Sequence, residues 1–299
     1  MSSTLWPAPA KINLFLHVLG RRADGYHDLQ TVFQFLDFAD EVRLEPSVNG
    51  DVRRVKPIAG VSEEQDLTLR AARRLKELAG TAQGVEIEVT KKIPMGAGLG
   101  GGSSDCASVL VALNHLWQLD WSVDALAEVG VELGADVPVF IRGLAAWAEG
   151  RGERLAPLTL ESGWYVVIVP NCQVSTGQIF QDPALTRNSR PMTMSDCLNY
   201  GSTDPHKIGP DILMRHTRND CEALVRRQYD SVDAALKWLG NFGECRMTGT
   251  GAAIFAPVVS EETGKDWLEQ LPTEWSAFVA RGVNRSPLLE CLAQASSEF

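Results

Sequence analysis

The sequence lacks the features that mark membrane, secreted and metal-binding proteins. None of its apolar stretches approaches the roughly 20 residues that span a bilayer. The first residues, MSSTLWPAPAKINL, do not have the basic start and apolar run of a signal peptide. The six cysteines form neither a CxxC pair nor a zinc-like spacing with histidine. We therefore expect a cytoplasmic protein with reduced thiols, no protein-built metal site and no membrane partner.

Basic residues are also scarce. Lysine and arginine number 28 against 38 aspartates and glutamates, which gives a formal net charge of −10. Such a chain has no basic field to attract nucleic acid or anionic lipid, so no nucleic-acid partner is expected. Any polyanionic ligand must be held by local features of the fold.

The length and composition of the sequence are typical of a folded chain. Hydrophobic residues make up 44% of its 299 residues, and we expect two lobes. Residues 187–210 have no clear period and are interpreted as a long loop or a loosely helical insertion. Strands and helices are mixed rather than strictly alternating, which predicts an α+β fold class. Periodicity predicts strands at 11–19, 85–90, 164–169 and 252–255, and helices at 66–79, 104–119, 122–133, 221–229 and 231–239.

The strongest local signal is a glycine-rich segment between a predicted strand and a predicted helix. Residues 91–107 read KKIPMGAGLGGGSSDCA and contain five glycines. Glycines let main-chain N–H groups approach phosphate oxygens, and a helix N-terminus adds unpaired donors and partial positive charge. Ser103 and Ser104 add hydroxyl groups, while Lys91 and Lys92 add nearby positive charge. Because it lacks the GK[ST] of a Walker A loop and the spacing of a dinucleotide fingerprint, we predict a phosphate loop of another type.

Several polar residues have both a structural and a functional interpretation. Lys11, in the apolar segment AKINL, is either an exposed edge lysine or a partly buried one, and Asn13 points to the same face of the strand. Asp136, in the segment GADVP, lies where an aspartate commonly caps a helix or closes a turn. Tyr26 and His27, in the turn DGYHDLQ, are either exposed turn residues or a stacking face and an edge donor for a base.

At the glycine loop the chain resembles the GHMP kinase superfamily, whose phosphate loop has the pattern P-x-x-x-G-L-G followed by small residues. Three further segments resemble the same superfamily in the same order: APAKINLFLHVLGRRADGYHDLQTVFQ (8–34), LGADVPVFIRGLAAWAEGRGERL (133–155) and RMTGTGAAIFA (246–256). The triple glycine and paired serines match best the branch whose acceptor alcohol carries cytidine diphosphate. The resemblance spans most of the chain.

The resemblance implies a two-lobe kinase. Its N-terminal lobe, residues 1–160, would be of the ribosomal protein S5 domain 2-like type and would bind ATP with Mg²⁺. Its C-terminal lobe, residues 161–299, would be ferredoxin-like and lie on the substrate side. The implied reaction transfers the γ-phosphoryl group to the 2-hydroxyl of a methylerythritol unit linked to cytidine diphosphate, in non-mevalonate isoprenoid precursor biosynthesis.

The resemblance also assigns roles to individual residues. Lys11 would stabilise charge at the acceptor hydroxyl, and Asp136 would accept the hydroxyl proton. Asp66 departs from the asparagine usual in the family near the adenine, and an ionised aspartate cannot donate a hydrogen bond. The TGTG turn of residues 248–251 would pack against the phosphate loop. The substrate contacts implied are Asn13, Tyr26, His27 and Phe180, with Phe180 on the cytosine face opposite Tyr26. The ATP contacts implied are Pro94, Met95, Gly96, Ala97, Gly98, Leu99, Gly100, Gly101, Gly102, Ser103 and Ser104.

Two alternatives stay open at this point. The chain is either a kinase for a different alcohol, such as a sugar or a mevalonate-like acid, or a nucleotide-binding sensor without turnover. The presence of both Lys11 and Asp136 disfavours the sensor, because a non-catalytic binder needs neither. The assembly expected is a monomer or a homodimer.

Overall fold

The computed structural model describes residues 4–198 and 207–297, which form a mixed α/β architecture. The strands are β1 (Thr4–Arg21), β2 (His27–Ser47), β3 (Val52–Arg54), β4 (Gly84–Thr90), β5 (Ala146–Gly150), β6 (Arg154–Pro157), β7 (Trp164–Val169), β8 (Arg246–Met247), β9 (Ile254–Val258) and β10 (Ser276–Val283). The helices are α1 (Leu67–Ala79), α2 (Gly101–Leu116), α3 (Val123–Leu133), α4 (Val137–Arg142), α5 (Thr176–Gln181), α6 (Met194–Leu198), α7 (Pro210–His216), α8 (Glu222–Gln228), α9 (Asp230–Leu239), α10 (Glu261–Leu268) and α11 (Pro287–Ser297).

The long strand β2 connects the two parts of the fold. One of its edges pairs with β1 along most of its length. Its other edge pairs in turn with β5, β10 and β4, at residues 29–33, 35–36 and 41–47. Because β10 continues past β2 to pair with β7, the sheet runs without a break from the N-terminal strands to the C-terminal ones.

The C-terminal strands confirm the ferredoxin-like arrangement. From β10 the sheet order is β10, β7, β9, β8, and each of these neighbours pairs antiparallel. In chain order this is fourth, first, third, second, with helices between β7 and β8 and between β9 and β10, which is the β-α-β-β-α-β pattern. The predicted α+β class is therefore confirmed.

The helix after the glycine loop lies at the centre of the N-terminal core. α2 is apolar on several sides and buries ten residues, from Ser104 to Leu113, against β1, β2, α1 and α4. It was predicted at 104–119 but begins at Gly101 and ends at Leu116. The helix begins earlier than predicted because its first turn includes glycines. The N–H groups of a first turn have no partner within the helix, so the low helix propensity of glycine costs little there. The end moved because Gln118 has a φ of 55°, outside the helical region.

Most other predicted elements are confirmed, with shifts at their ends. The strand at 164–169 and the body of the helix at 122–133 are as predicted, and Ser122 caps the latter by accepting from the N–H of Ala125. The strand predicted at 252–255 starts at Ile254, and the one predicted at 11–19 extends at both ends. The segment 187–210 contains the short helix α6, but residues 199–206 lie outside the described part. None of the described helices is long and apolar enough to cross a membrane.

Candidate active site

A cleft of about 540 Å³ lies where the two parts of the fold meet. Its walls include the glycine loop, Lys11 and Asp136 from the N-terminal part, and Thr176 and Thr250 from the C-terminal part. Its volume is within the range of small-molecule sites in proteins. The cleft is therefore large enough for a nucleotide and brings together segments that are far apart in the sequence.

The glycine loop follows β4 and leads directly into α2, as predicted. Gly96, Gly98 and Gly100 have φ angles of 67°, 76° and 76°, which favour glycine. A Cβ on Gly98 would lie 2.4 Å from the carbonyl oxygen of Thr248, and one on Gly100 would lie 2.6 Å from the Phe140 ring. These two glycines are required by packing inside the protein as well as by φ. The sequence-based explanation, access to phosphate alone, is therefore incomplete.

The TGTG turn packs against this loop, as the resemblance implied. The N–H of Ala253 donates to the carbonyl of Ala97 at 3.0 Å. The N–H of Lys11 in β1 donates to the carbonyl of Leu99 at 3.0 Å, where the β1–β2 register shifts between Pro9 and Lys11. Main-chain hydrogen bonds from two distant segments thus hold the loop, which preorganises its N–H groups.

Lys11 and Asp136 meet beside the loop. Lys11 is only 3% exposed, so it is not a surface lysine, and its Nζ lies 3.3 Å from Asp136 Oδ2. The same Nζ donates to Asn13 Oδ1 at 2.6 Å and to the carbonyl of Gly98 at 3.0 Å. Asp136 occupies the residue before α4, but its side chain makes no capping hydrogen bond and is 34% exposed. The carboxylate is therefore directed to Lys11 and the cleft instead of serving as a helix cap.

The two lysines that precede the loop do not supply free positive charge, and that expectation was wrong. Lys91 Nζ contacts the carboxylates of both Asp40 and Asp105, the latter at 2.7 Å. Lys92 pairs with Glu41 at the surface. Positive charge for a phosphate must come mainly from main-chain N–H groups and the start of α2.

Asp105, in the first turn of α2, is a buried acid with an incomplete set of partners. Its Oδ2 accepts from Lys91, but its Oδ1 has no hydrogen-bond partner among the described residues. Asp40 instead accepts from two main-chain N–H groups, those of Lys92 and Ile93. Burial therefore raises the pKa of Asp105 to about 7, and Asp40 nearby adds to the effect.

Asp66 has a structural role at the other end of the cleft. It is buried, pairs with Arg54 at 2.8 Å and caps α1 by accepting from the N–H of Thr68 at 2.9 Å. The carboxylate is saturated by partners within the protein. Apolar side chains of Ile58 and Leu67 line the cleft beside it, so this end suits a flat apolar ring better than a charged group.

The aromatic residues expected at the base contact one another and a nearby arginine. The rings of His27 and Phe180 are stacked, with centroids 5.2 Å apart and planes at 25°. Arg187 Nε donates to His27 Nε2 at 3.0 Å, and burial lowers the pKa of His27. Tyr26 is 54% exposed, with the Arg151 guanidinium 4.5 Å from its ring centre. Phe180 and Arg151 line the cleft directly, whereas Tyr26 and His27 lie one contact behind them.

Not all of the predicted loop residues line the cleft, and some of the residues that line it were not predicted. Ser103 lines the cleft, but Ser104 is fully buried and its Oγ has no partner among the described residues. Sequence reasoning missed Arg151 and Thr176. The Thr176 hydroxyl lies 2.8 Å from that of Thr250 in the TGTG turn, and both residues line the cleft wall. The glycines flanking Arg151 in EGRGE were a signal for a tight turn; Thr176 had no comparable signal.

Comparison with known protein families gives two matches, and the segments they cover contribute residues from both parts of the cleft. A family model described as the GHMP kinases N terminal domain matches residues 66–144, and one described as GHMP kinases C terminal matches residues 207–277. The first contains the glycine loop and Asp136, and the second contains the TGTG turn.

Close relatives cover almost the whole chain. A 4-diphosphocytidyl-2-C-methyl-D-erythritol kinase of Halorhodospira halophila is 50% identical over 98% of this chain and 98% of its own length. A protein of the same description from Nitrosococcus oceani is 49% identical over 96% and 98%. A crystal structure of 4-(cytidine 5'-diphospho)-2C-methyl-D-erythritol kinase superposes with a TM-score of 0.78 at 32% identity, covering 93% of this chain and 99% of that one. The mevalonate kinase of Methanococcus jannaschii shares the fold, with a TM-score of 0.69 at 15% identity over 95% and 99%.

Proposed function

Because the chain belongs to the GHMP kinase family, we propose that its cleft transfers the γ-phosphoryl group of ATP to the 2-hydroxyl of 4-diphosphocytidyl-2-C-methyl-D-erythritol. The observation that carries the chemistry is the contact of Lys11 with Asp136 beside the glycine loop, 3.3 Å apart. The observation that carries the substrate is the near full-length similarity to kinases of that description. The reaction belongs to non-mevalonate isoprenoid precursor biosynthesis.

ATP would bind along the glycine loop with its phosphates at the start of α2. Main-chain N–H groups of the loop and the helix dipole favour an anion there. The adenine would occupy the end lined by Ile58 and Leu67. Such an arrangement supports binding by shape and main-chain donors, because Lys91 is already neutralised by two carboxylates.

Mg²⁺ would enter the cleft bound to the phosphates of ATP. The described residues contain no group of three or more His, Cys, Asp or Glu side chains that could hold a metal ion. Mg²⁺ commonly keeps several waters and is held by substrate phosphates with few carboxylates. When bound it would offset the charge of the phosphate oxygens.

Lys11 and Asp136 would carry the transfer. Asp136 would accept the proton of the attacking hydroxyl, and Lys11 would stabilise the negative charge that develops on the transferred group. Asn13 accepts a hydrogen bond from Lys11 Nζ and donates to Thr31 Oγ1 at 2.9 Å, which orients the ammonium group. Since phosphoryl transfer depends mainly on positioning and charge stabilisation, this rigid arrangement suits the reaction.

The cytosine would bind near Tyr26, His27 and Phe180. In the structure Phe180 lies on His27 and Arg151 lies on Tyr26. A base placed between Tyr26 and Phe180 would therefore replace the contact of Arg151 with Tyr26 and the contact of His27 with Phe180. The cost is small on the Tyr26 side, because that ring is 54% exposed and its contact with Arg151 is a cation–π interaction near the surface.

The site draws all its groups from one chain, which supports a monomer or a homodimer with one complete site per subunit. We divide the chain for this function at residue 160, so that 1–160 holds ATP and 161–299 supplies the substrate side, and the two family models lie on either side of that boundary. ATP as the donor favours the cytoplasm as the place of the reaction.

The decisive assay measures ADP release with three acceptors: the cytidine diphosphate compound, free methylerythritol and mevalonate. We expect turnover only with the first. Equal rates with an acceptor that lacks cytidine diphosphate would favour a kinase for another alcohol. No ADP release with any of them would favour a nucleotide sensor.

A further inference from the structure

Arg151 lies at the wall of the cleft on the acceptor side. It occupies the turn between β5 and β6, flanked by Gly150 and Gly152, whose φ angles are 73° and 112°. Both Arg151 and Gly152 line the cleft, and the Arg151 guanidinium lies 4.5 Å from the centre of the Tyr26 ring. The turn therefore projects one long cationic side chain to the place where the cytosine is proposed to bind.

Within the described residues, three cationic side chains line this cleft, and their electrostatic partners differ. Lys11 pairs with Asp136, and Lys91 contacts two carboxylates. Arg151 has no carboxylate within ion-pair distance in the part of the chain that the structure describes. Its main-chain N–H donates to Glu153 at 2.6 Å, which involves the turn and not the guanidinium. The Asp24 carboxylate interacts with Arg151 only at longer range and forms no direct ion pair with it. A cleft-lining cation without a direct carboxylate partner favours an anionic ligand.

The contact that Arg151 does make is readily exchanged. A cation–π contact on a half-exposed ring is weaker than a guanidinium–phosphate pair, in which two parallel N–H groups bind two oxygens. The guanidinium is planar and carries several donors, which suits a diphosphate better than a single ammonium would. The Arg151 side chain can therefore leave the Tyr26 ring when a phosphate group comes within hydrogen-bonding distance.

We propose that Arg151 binds the diphosphate of the acceptor substrate and, in doing so, clears the face of Tyr26 for the cytosine. This inference rests on the proposed function. The acceptor consists of base, diphosphate and alcohol in that order. Arg151 touches the residue proposed for the base and lines the same cleft as Lys11 and Asp136, the residues proposed for the alcohol. Arg151 thus links recognition of the base to recognition of the charge beside it.

The test compares Arg151→Gln with Arg154→Gln, a matched control in the same hairpin. Arg154 is 67% exposed, pairs with Glu149 at 3.8 Å and does not line the cleft. Calorimetry with cytidine and with CDP separates contacts to the base from contacts to the diphosphate. For Arg151→Gln we expect CDP to bind at least about 10-fold more weakly, which is about 1.4 kcal/mol, while cytidine binds as tightly as to the wild type or more tightly. For Arg154→Gln both affinities should stay unchanged.

Kinetics with the full acceptor complete the test. Arg151→Gln should raise KM for the cytidine diphosphate compound and leave KM for ATP unchanged, which also shows that the variant is folded. Arg151→Lys should restore part of the loss. Equal weakening of cytidine and CDP would mean that Arg151 only supports Tyr26, and unchanged CDP affinity would mean that it does not bind the ligand; either result overturns the proposal. If the wild-type enzyme turns over the acceptor, either of these results overturns the role of Arg151 and leaves the proposed function intact. If the wild-type enzyme neither turns over the acceptor nor binds CDP, both the role of Arg151 and the proposed function are overturned.

Discussion

Replacing one glycine of the phosphate loop tests how the loop is held. Gly96 and Gly98 both have positive φ, 67° and 76°, so alanine at either position costs about 1–2 kcal/mol in backbone conformation. They differ in surroundings. A Cβ on Gly96 meets only the Cγ of Gln173 at 3.9 Å, but a Cβ on Gly98 would lie 2.4 Å from the carbonyl oxygen of Thr248. Gly96→Ala is therefore a matched control for Gly98→Ala.

The size of the difference follows from what must move. To accommodate a methyl group at residue 98, the loop must separate from the TGTG turn. That movement strains the hydrogen bond from Ala253 to Ala97 and the one from Lys11 Nζ to the Gly98 carbonyl. A neutral hydrogen bond contributes about 0.5–1.5 kcal/mol and a charged one about 1.5–3 kcal/mol. We expect Gly98→Ala to reduce the free energy of unfolding by about 2–4 kcal/mol more than Gly96→Ala.

Urea unfolding monitored by tryptophan fluorescence measures this difference, and steady-state kinetics measure its effect on the site. Because Lys11 loses an acceptor that fixes its Nζ, Gly98→Ala should also lower kcat by about 10-fold or more. Gly96→Ala should act mainly on KM for ATP, since Gly96 lines the cleft. If the two variants unfold with the same free energy, the loop is not held by the turn as described, and the packing argument is refuted.

Three further predictions address catalysis, recognition and pH. Asp136→Asn should lower kcat by about 10²–10⁴-fold, the usual contribution of a general base, and leave the Kd for ATP nearly unchanged, so an active variant would contradict its role. Changing Tyr26 and His27 together to alanine should raise KM for the cytidine diphosphate compound by about 10-fold or more, since stacking on an aromatic contributes about 1–3 kcal/mol per base; an equal rise in KM for ATP would count against cytosine binding. Burial raises the pKa of Asp105 to about 7, so the folded state binds that proton more tightly than the unfolded chain, and stability should fall as pH rises from about 4 through about 7. Urea midpoints of Asp105→Asn should vary less over this range, and curves parallel to the wild type would refute the assignment.

Local patterns predicted much of the fold and part of the site. The glycine loop, the helix that follows it and the helix predicted at 122–133 depend on neighbouring residues, and the structure has them close to the predicted positions. The role of Lys91 was predicted wrongly because it depends on a partner that is distant in the sequence. Its partner Asp40 lies in β2, and a pattern around residue 91 contains no information about that strand's position.

The sequence by itself determined where a phosphate can bind, because glycine density and the start of a helix are local and need no distant partner. Only the tertiary structure decided which charges remain available there. Pairing of β1 with β2 and packing of α4 bring Lys11 to Asp136, while Lys91 is neutralised by carboxylates from β2 and α2. Arg151 remains without a carboxylate partner among the described residues because the turn after β5 carries it over Tyr26 at the edge of the cleft. Charge pairing depends on distances of a few ångströms, and those distances are set by strand register and helix packing.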